Sequence, residues 1–241
     1  MKEEIISKNE FIIDNKKVTV YPSAISNRPI IYLNTFDKSG LAVSDSCSMS
    51  ESVYRKLRSS YCFDFNFVVI SGLDWEHDMS PWNIPPISKN IINCTGGADK
   101  YLHLLTKSII PKAEEYMHGN VLWRGLAGYS LAGLFAVYSI YKTELFSRIA
   151  SVSGSFWFPA FKDYVFSHGM ISKPDYIYFS IGDKEAGTKN QYLKSVQANT
   201  EEIEVFYKSC GINTTFELNI GGHNKGVAER ITTGLAWILK A

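Results

Sequence analysis

Short apolar runs alternate along the chain with longer segments in which apolar residues recur every three or four positions. Residues 10–14 and 18–21 flank Asn15-Lys16-Lys17 and predict an opening hairpin. Arg28-Pro29 leads into residues 30–33, a run apolar enough for a strand buried on both faces, and residues 65–71 form a second such run. Between them, residues 50–59 carry helical spacing. Residues 72–96 are polar and proline-rich, with no period. Residues 98–117 predict a helix on Leu102, Leu105, Ile109 and Ile110, with Pro111 bending it. Strands are expected at 123–129, 149–152, 176–181 and 214–220, and helices at 131–141, 191–209 and 226–239. Strands alternating with helices predict an α/β fold in one domain over residues 1–241, a mainly parallel sheet with helices on both faces.

Composition narrows the function more than it names one. Of 241 residues 45% are hydrophobic and 20% charged, which supplies an ordinary globular core. The net charge of +1 carries no long run of either sign, so neither nucleic acid nor an acidic membrane is an expected partner. The first ten residues are charged where an export signal would be apolar, and no apolar run reaches the roughly 20 residues a membrane span needs. Cys47, Cys62, Cys94 and Cys210 are scattered, as expected of free thiols in a cytoplasmic protein, and their spacing predicts no metal site. No cofactor is called for.

Chemistry enters where the strand at 123–129 gives way to the helix at 131–141. The junction reads Gly128-Tyr129-Ser130-Leu131-Ala132-Gly133. A serine held in a strained strand-to-helix turn needs small residues around it, and Gly128, Ala132 and Gly133 meet that need. The turn would put the Leu131 N–H at a helix start, where it can donate to a developing oxyanion. A second donor is expected from the loop Asn34-Thr35-Phe36-Asp37, through the N–H of Thr35 or Phe36.

A serine hydroxyl needs a base, and His223 is the histidine placed to supply one. It follows the strand at 214–220 through Gly221-Gly222 and precedes the last helix. His77, His103, His118 and His168 lie on helix faces or in segments out of order for that role. The orienting acid should follow a strand between the two, where Gly182-Asp183-Lys184-Glu185 offers two carboxylates. Glu185 has the longer reach and is preferred; Asp183 is the alternative, better placed to cap the turn.

Together these residues resemble the esterase D-like branch of the α/β-hydrolases, which includes siderophore and feruloyl esterases. Ser153-Gly154-Ser155-Phe156-Trp157, Thr188-Lys189-Asn190 and Gly221-Gly222-His223-Asn224 carry the likeness beyond the serine motif, from about residue 30 onward. The resemblance implies an α/β-hydrolase fold with a minimal cap and hydrolysis of a carboxylic ester through an acyl-enzyme on Ser130. The chain departs from the family's Leu-Asp-Gly at Leu33-Asn34-Thr35-Phe36, so the second oxyanion donor rests on position alone.

Trp75, Trp82, Phe156 and Trp157, with Phe158 and Phe161, fall in expected loops at the strand ends and would form an aromatic rim for a small apolar or aromatic acyl group. Tyr129 and Asp78 are further candidates for substrate contact, although an Asp before Ser80-Pro81 also forms turns. Residues 153–175 are too few for a large lid, which favours a soluble short-chain or aromatic ester over an interfacial lipid. Acyl transfer to an alcohol, peptide cleavage and non-catalytic binding are the rival readings.

Overall fold

The computed structural model describes residues 7–36, 49–87, 93–171 and 173–240. Its centre is an eight-stranded sheet. The strands are β1 (Asn9–Ile13), β2 (Lys16–Tyr21), β3 (Ile30–Asn34), β4 (Asn66–Ser71), β7 (Arg124–Tyr129), β8 (Arg148–Val152), β9 (Tyr176–Gly182) and β10 (Asn213–Asn219), in the order β1-β2-β4-β3-β7-β8-β9-β10. β1, β2 and β4 pair antiparallel, and every pair from β4 through β3 to β10 is parallel. A minor ladder joins β5 (Asn83–Ile84) to β6 (Cys94–Thr95).

Alternation along the strands builds two cores. Ile30, Tyr32, Val68, Ile70, Leu126, Ile149 and Phe179 face one side, and Ile31, Leu33, Phe67, Val69, Ala127, Ala150 and Tyr178 the other. The first side is covered by α3 (Ala98–Leu104), α5 (Leu131–Ser139), α6 (Phe161–Ser167) and α7 (Val196–Ser209), the second by α1 (Met49–Tyr61) and α8 (Val227–Lys240). Every residue of α5 is buried, as befits a helix apolar all round behind the central strands.

Three segments differ from expectation. The helix at 98–117 divides into α3, a π-helical stretch Leu105–Ile109 and α4 (Ile110–Glu114). Pro111 has no N–H to offer the preceding turn and its ring crowds that turn's carbonyl, which widening the turn relieves. The aperiodic stretch 72–96 holds a one-turn helix, α2 (Trp75–Asp78), and the β5–β6 ladder. The connection 153–175 contains α6, so Phe161 begins a helix. Cys62, Cys94 and Cys210 are free thiols; Cys47 lies outside the described residues, as does Asp37. Burial raises the Cys94 thiol to about 11. Among the described residues no helix is long and apolar enough to cross a membrane.

Chain order reverses between β3 and β7, neighbours whose successors run to opposite sides of the sheet. A crevice opens at the carboxyl ends of strands where order switches in this way. Ser130 follows the end of β7, and Asn34, Thr35 and Phe36 lie at the end of β3.

Candidate active site

Ser130 has φ 59° and ψ −124°, a conformation side chains rarely adopt. Local sequence makes it attainable. A Cβ at Gly128 would overlap the backbone of Ala132, and one at Gly133 would crowd the Ser151 hydroxyl, the Gly128 carbonyl and the Gly154 Cα. The Ser130 N–H donates to the Val152 carbonyl at 3.0 Å, and its own carbonyl accepts from Gly133, Leu134 and Ser155, so the turn is held from both sides.

Above this turn the segments after two parallel strands deliver Glu185 and His223. β9 and β10 run in register, with Asn219 opposite Gly182, so the segments beyond them begin side by side. The chains touch closely enough that a Cβ on Gly182 would overlap the Gly221 carbonyl. Asp183 Oδ1 accepts from the Gly221 N–H at 2.7 Å, tying the two loops together. Glu185 reaches the imidazole instead: its Oε2 lies 2.6 Å from His223 Nδ1. His223 Nε2 lies 3.0 Å from Ser130 Oγ.

The Glu185 side chain is 4% exposed and that of His223 39%, so the carboxylate is enclosed and the imidazole reaches solvent. Burial pushes the Glu185 carboxyl up. His223, the Gly182 N–H and the Ser153 hydroxyl outweigh it and hold the group below its usual 4.5. Glu185 is therefore a carboxylate, acceptor-only, and must receive the Nδ1 proton. To accept from the Ser130 hydroxyl, Nε2 must then be the bare ring nitrogen.

Arg230 escaped the sequence reading. It is itself 4% exposed and donates to Glu185 Oε1 at 2.8 Å, to Ser153 Oγ at 3.0 Å, to Tyr129 Oη at 3.3 Å and to the Gly222 carbonyl at 3.1 Å. One guanidinium thus links the serine strand, the end of β8, the acid and the loop that carries the base. Its signal was phase: Arg230, Gly234 and Ile238 stand four apart on the buried face of α8, where a lone charge needs a partner.

Several candidates fall elsewhere. The Thr35 N–H donates to the Ile70 carbonyl at 3.0 Å, extending the ladder, so it is not available as the expected second oxyanion donor. The Leu131 N–H is the first of α5 and has no carbonyl within its own helix to bond. Phe156 and Phe161 are fully buried and Trp157 nearly so, packed into the core beneath the sheet end; they form no rim. Trp82 donates from Nε1 to the Pro159 carbonyl at 3.1 Å and stacks on Phe161, pinning the 153–175 connection. Tyr129 donates from its hydroxyl to the His223 carbonyl, so it holds the base loop. Only Trp75, edge-on to the half-exposed Phe36 at 5.1 Å, remains of the expected aromatic wall.

Asp78 is also structural. Its carboxylate pairs with Lys16 Nζ at 2.7 Å and accepts from the Asp74 N–H at 2.8 Å, both side chains being nearly buried. Asp78→Asn leaves that ammonium uncompensated and should lower stability by about 3 kcal/mol. Thermal melting beside kcat/KM per folded molecule checks it: an unchanged melting point with a large kinetic loss would return Asp78 to the substrate.

A family model described as "Putative esterase" matches residues 14–226. YbbA of Bacillus subtilis strain 168, an uncharacterized protein, is 24% identical over 184 residues, 71% of this chain and 73% of that one. An IroE-like serine hydrolase from Shewanella oneidensis superposes with a TM-score of 0.76 at 15% identity, covering 98% of this chain and 80% of its own. Siderophore hydrolase EstB from Aspergillus nidulans gives 0.73 at 18%, covering 98% and 96%. Enterobactin hydrolase IroE gives 0.67 at 20%, covering 100% and 98%.

Proposed function

The chain belongs to the esterase family, on the α/β-hydrolase fold its sequence predicts, and from that premise we propose that it cleaves a small carboxylic ester through an acyl-enzyme on Ser130. The observation that carries the reading is the unbroken contact from Ser130 Oγ to His223 Nε2, and from His223 Nδ1 to Glu185. His223 takes the hydroxyl proton as Ser130 attacks the carbonyl carbon. The Leu131 N–H, at the start of α5, receives the developing oxyanion. The imidazolium, steadied by Glu185, then protonates the leaving alcohol, and water repeats the sequence on the acyl-enzyme.

Exposure of the imidazole supports water as the acyl acceptor, since solvent reaches the proton carrier directly. The retained aromatic pair Phe36–Trp75 supports a short or aromatic acyl group. Siderophore and ferulic acid esterases stand among the similar folds, so catecholate and feruloyl esters belong in the substrate panel beside acetate and butyrate.

A fluorophosphonate probe should add one group, mapped by mass to Ser130, and in parallel remove hydrolysis of p-nitrophenyl butyrate. Product should be the free acid whether or not an alcohol is added. Labelling at another serine with activity lost, or ester as the main product with added alcohol, would refute the reading.

A further inference from the structure

We infer that the Ser155 hydroxyl is a second catalytic group, a donor to Ser130 Oγ that accelerates breakdown of the acyl-enzyme; the inference rests on Ser130 being the nucleophile. Ser155 is fully buried, and its Oγ lies 3.2 Å from Ser130 Oγ. Its N–H donates to the Ser130 carbonyl at 3.1 Å, so main chain and side chain grip the same residue.

Counting protons fixes the direction of the hydroxyl contact. The Glu185 carboxylate can only accept, so Nδ1 of neutral His223 donates to it and Nε2 holds a lone pair. Ser130 has one hydroxyl proton, and Nε2 is its acceptor at 3.0 Å. What Ser130 Oγ has left is lone pairs. The Ser155 hydroxyl must therefore be the donor.

That bond has unequal value along the reaction. In the resting enzyme it is already made, to a hydroxyl oxygen, so acylation gains little from it. In the acyl-enzyme Ser130 Oγ is the single-bonded oxygen of an ester. Its lone pairs are delocalised into the carbonyl, and it accepts poorly. In deacylation, water adds to the acyl carbon and gives a proton to His223. The C–Oγ bond then breaks, its electron pair stays on Oγ, and His223 returns the proton there. Charge grows on Oγ before that proton arrives, and the Ser155 donor meets it without itself transferring a proton. Only interactions stronger in the transition state than in the state before it raise a rate, and here that condition holds for deacylation.

Stopped-flow hydrolysis of p-nitrophenyl acetate by the full chain separates the two steps. Ser155→Ala should lower the deacylation constant about 10-fold to 100-fold, the worth of one donor to a developing charge. kcat/KM should stay within about threefold, so that KM falls with kcat and a burst near one nitrophenol per enzyme appears. Ser155→Cys leaves no cavity and carries a weaker donor, so it should fall between, and it decides the question if the alanine variant melts early. Equal loss of kcat and kcat/KM, or unchanged deacylation, would overturn the inference. A burst retained in Ser130→Ala would instead remove the nucleophile reading beneath it.

Discussion

Ser130→Ala should lower kcat/KM for p-nitrophenyl butyrate by about ten-thousand-fold to a million-fold, because the groups around it act as a unit that fails when its nucleophile is removed. The loss should be chemical and not structural. The side chain's recorded partners are His223 Nε2 and Ser155 Oγ, while the turn is held by backbone bonds from Gly133, Leu134 and Ser155. Alanine carries the same Cβ as serine, so the strained φ of 59° costs both residues alike. Folding stability should change little, by about 1 kcal/mol or less, as thermal melting would read. A variant with full activity would end the nucleophile assignment, and one that unfolds would show that the hydroxyl is structural.

The second large effect separates the two carboxylates beyond β9. Glu185→Gln should cost about a thousand-fold to ten-thousand-fold in kcat, since an amide can turn its N–H toward Nδ1 and favour the wrong imidazole tautomer. Asp183→Asn keeps an oxygen for the Gly221 N–H and should stay within about tenfold. The opposite ranking would reassign the acid. Stability supplies an independent reading with a fixed sign. Folding holds the Glu185 carboxyl below its usual 4.5, so the folded state is favoured by its ionised form above that value. As pH falls from 4.5 through the lowered native value, this contribution is lost. The glutamine variant should therefore show a flatter decline in melting temperature on the acid side than the unmodified chain.

Much of this arrangement could be read from the chain, for identifiable reasons. The change of period at residue 130, with small residues on both sides, is a local property, and so are the glycines preceding His223. Parallel order follows from alternating elements, and it brings the segments after β9 and β10 together without further information. The preference for Glu185 rests on reach; in the structure Glu185 contacts the imidazole, while the Asp183 carboxylate accepts from the Gly221 N–H.

The illegible parts depend on neighbours distant in sequence. Arg230 stands in an amphipathic helix, where a basic residue ordinarily faces water; its acceptors come from four other segments. Phe156 and Trp157 stand in an expected loop, where aromatic rings suit a rim, but they pack inward, with Phe156 against Phe161 at the start of α6. Thr35 looked available because a strand's end is set by its partner, and β4 extends the pairing by one more bond. The π-helical stretch leaves apolar spacing nearly unchanged and so left no trace in the pattern.

β10 borders the sheet and is bonded along one side only, whereas the strand beneath Ser130 lies between two partners. The hydroxyl stands over a central strand, and the imidazole follows a border strand but is tied back to the centre through Tyr129 and Arg230. Local opening is cheapest at such borders. Fraying of the last strand would have to break the Tyr129 and Arg230 bonds to residues 222–223 before His223 could leave the elbow. Loosening at that border is resisted from the centre of the sheet.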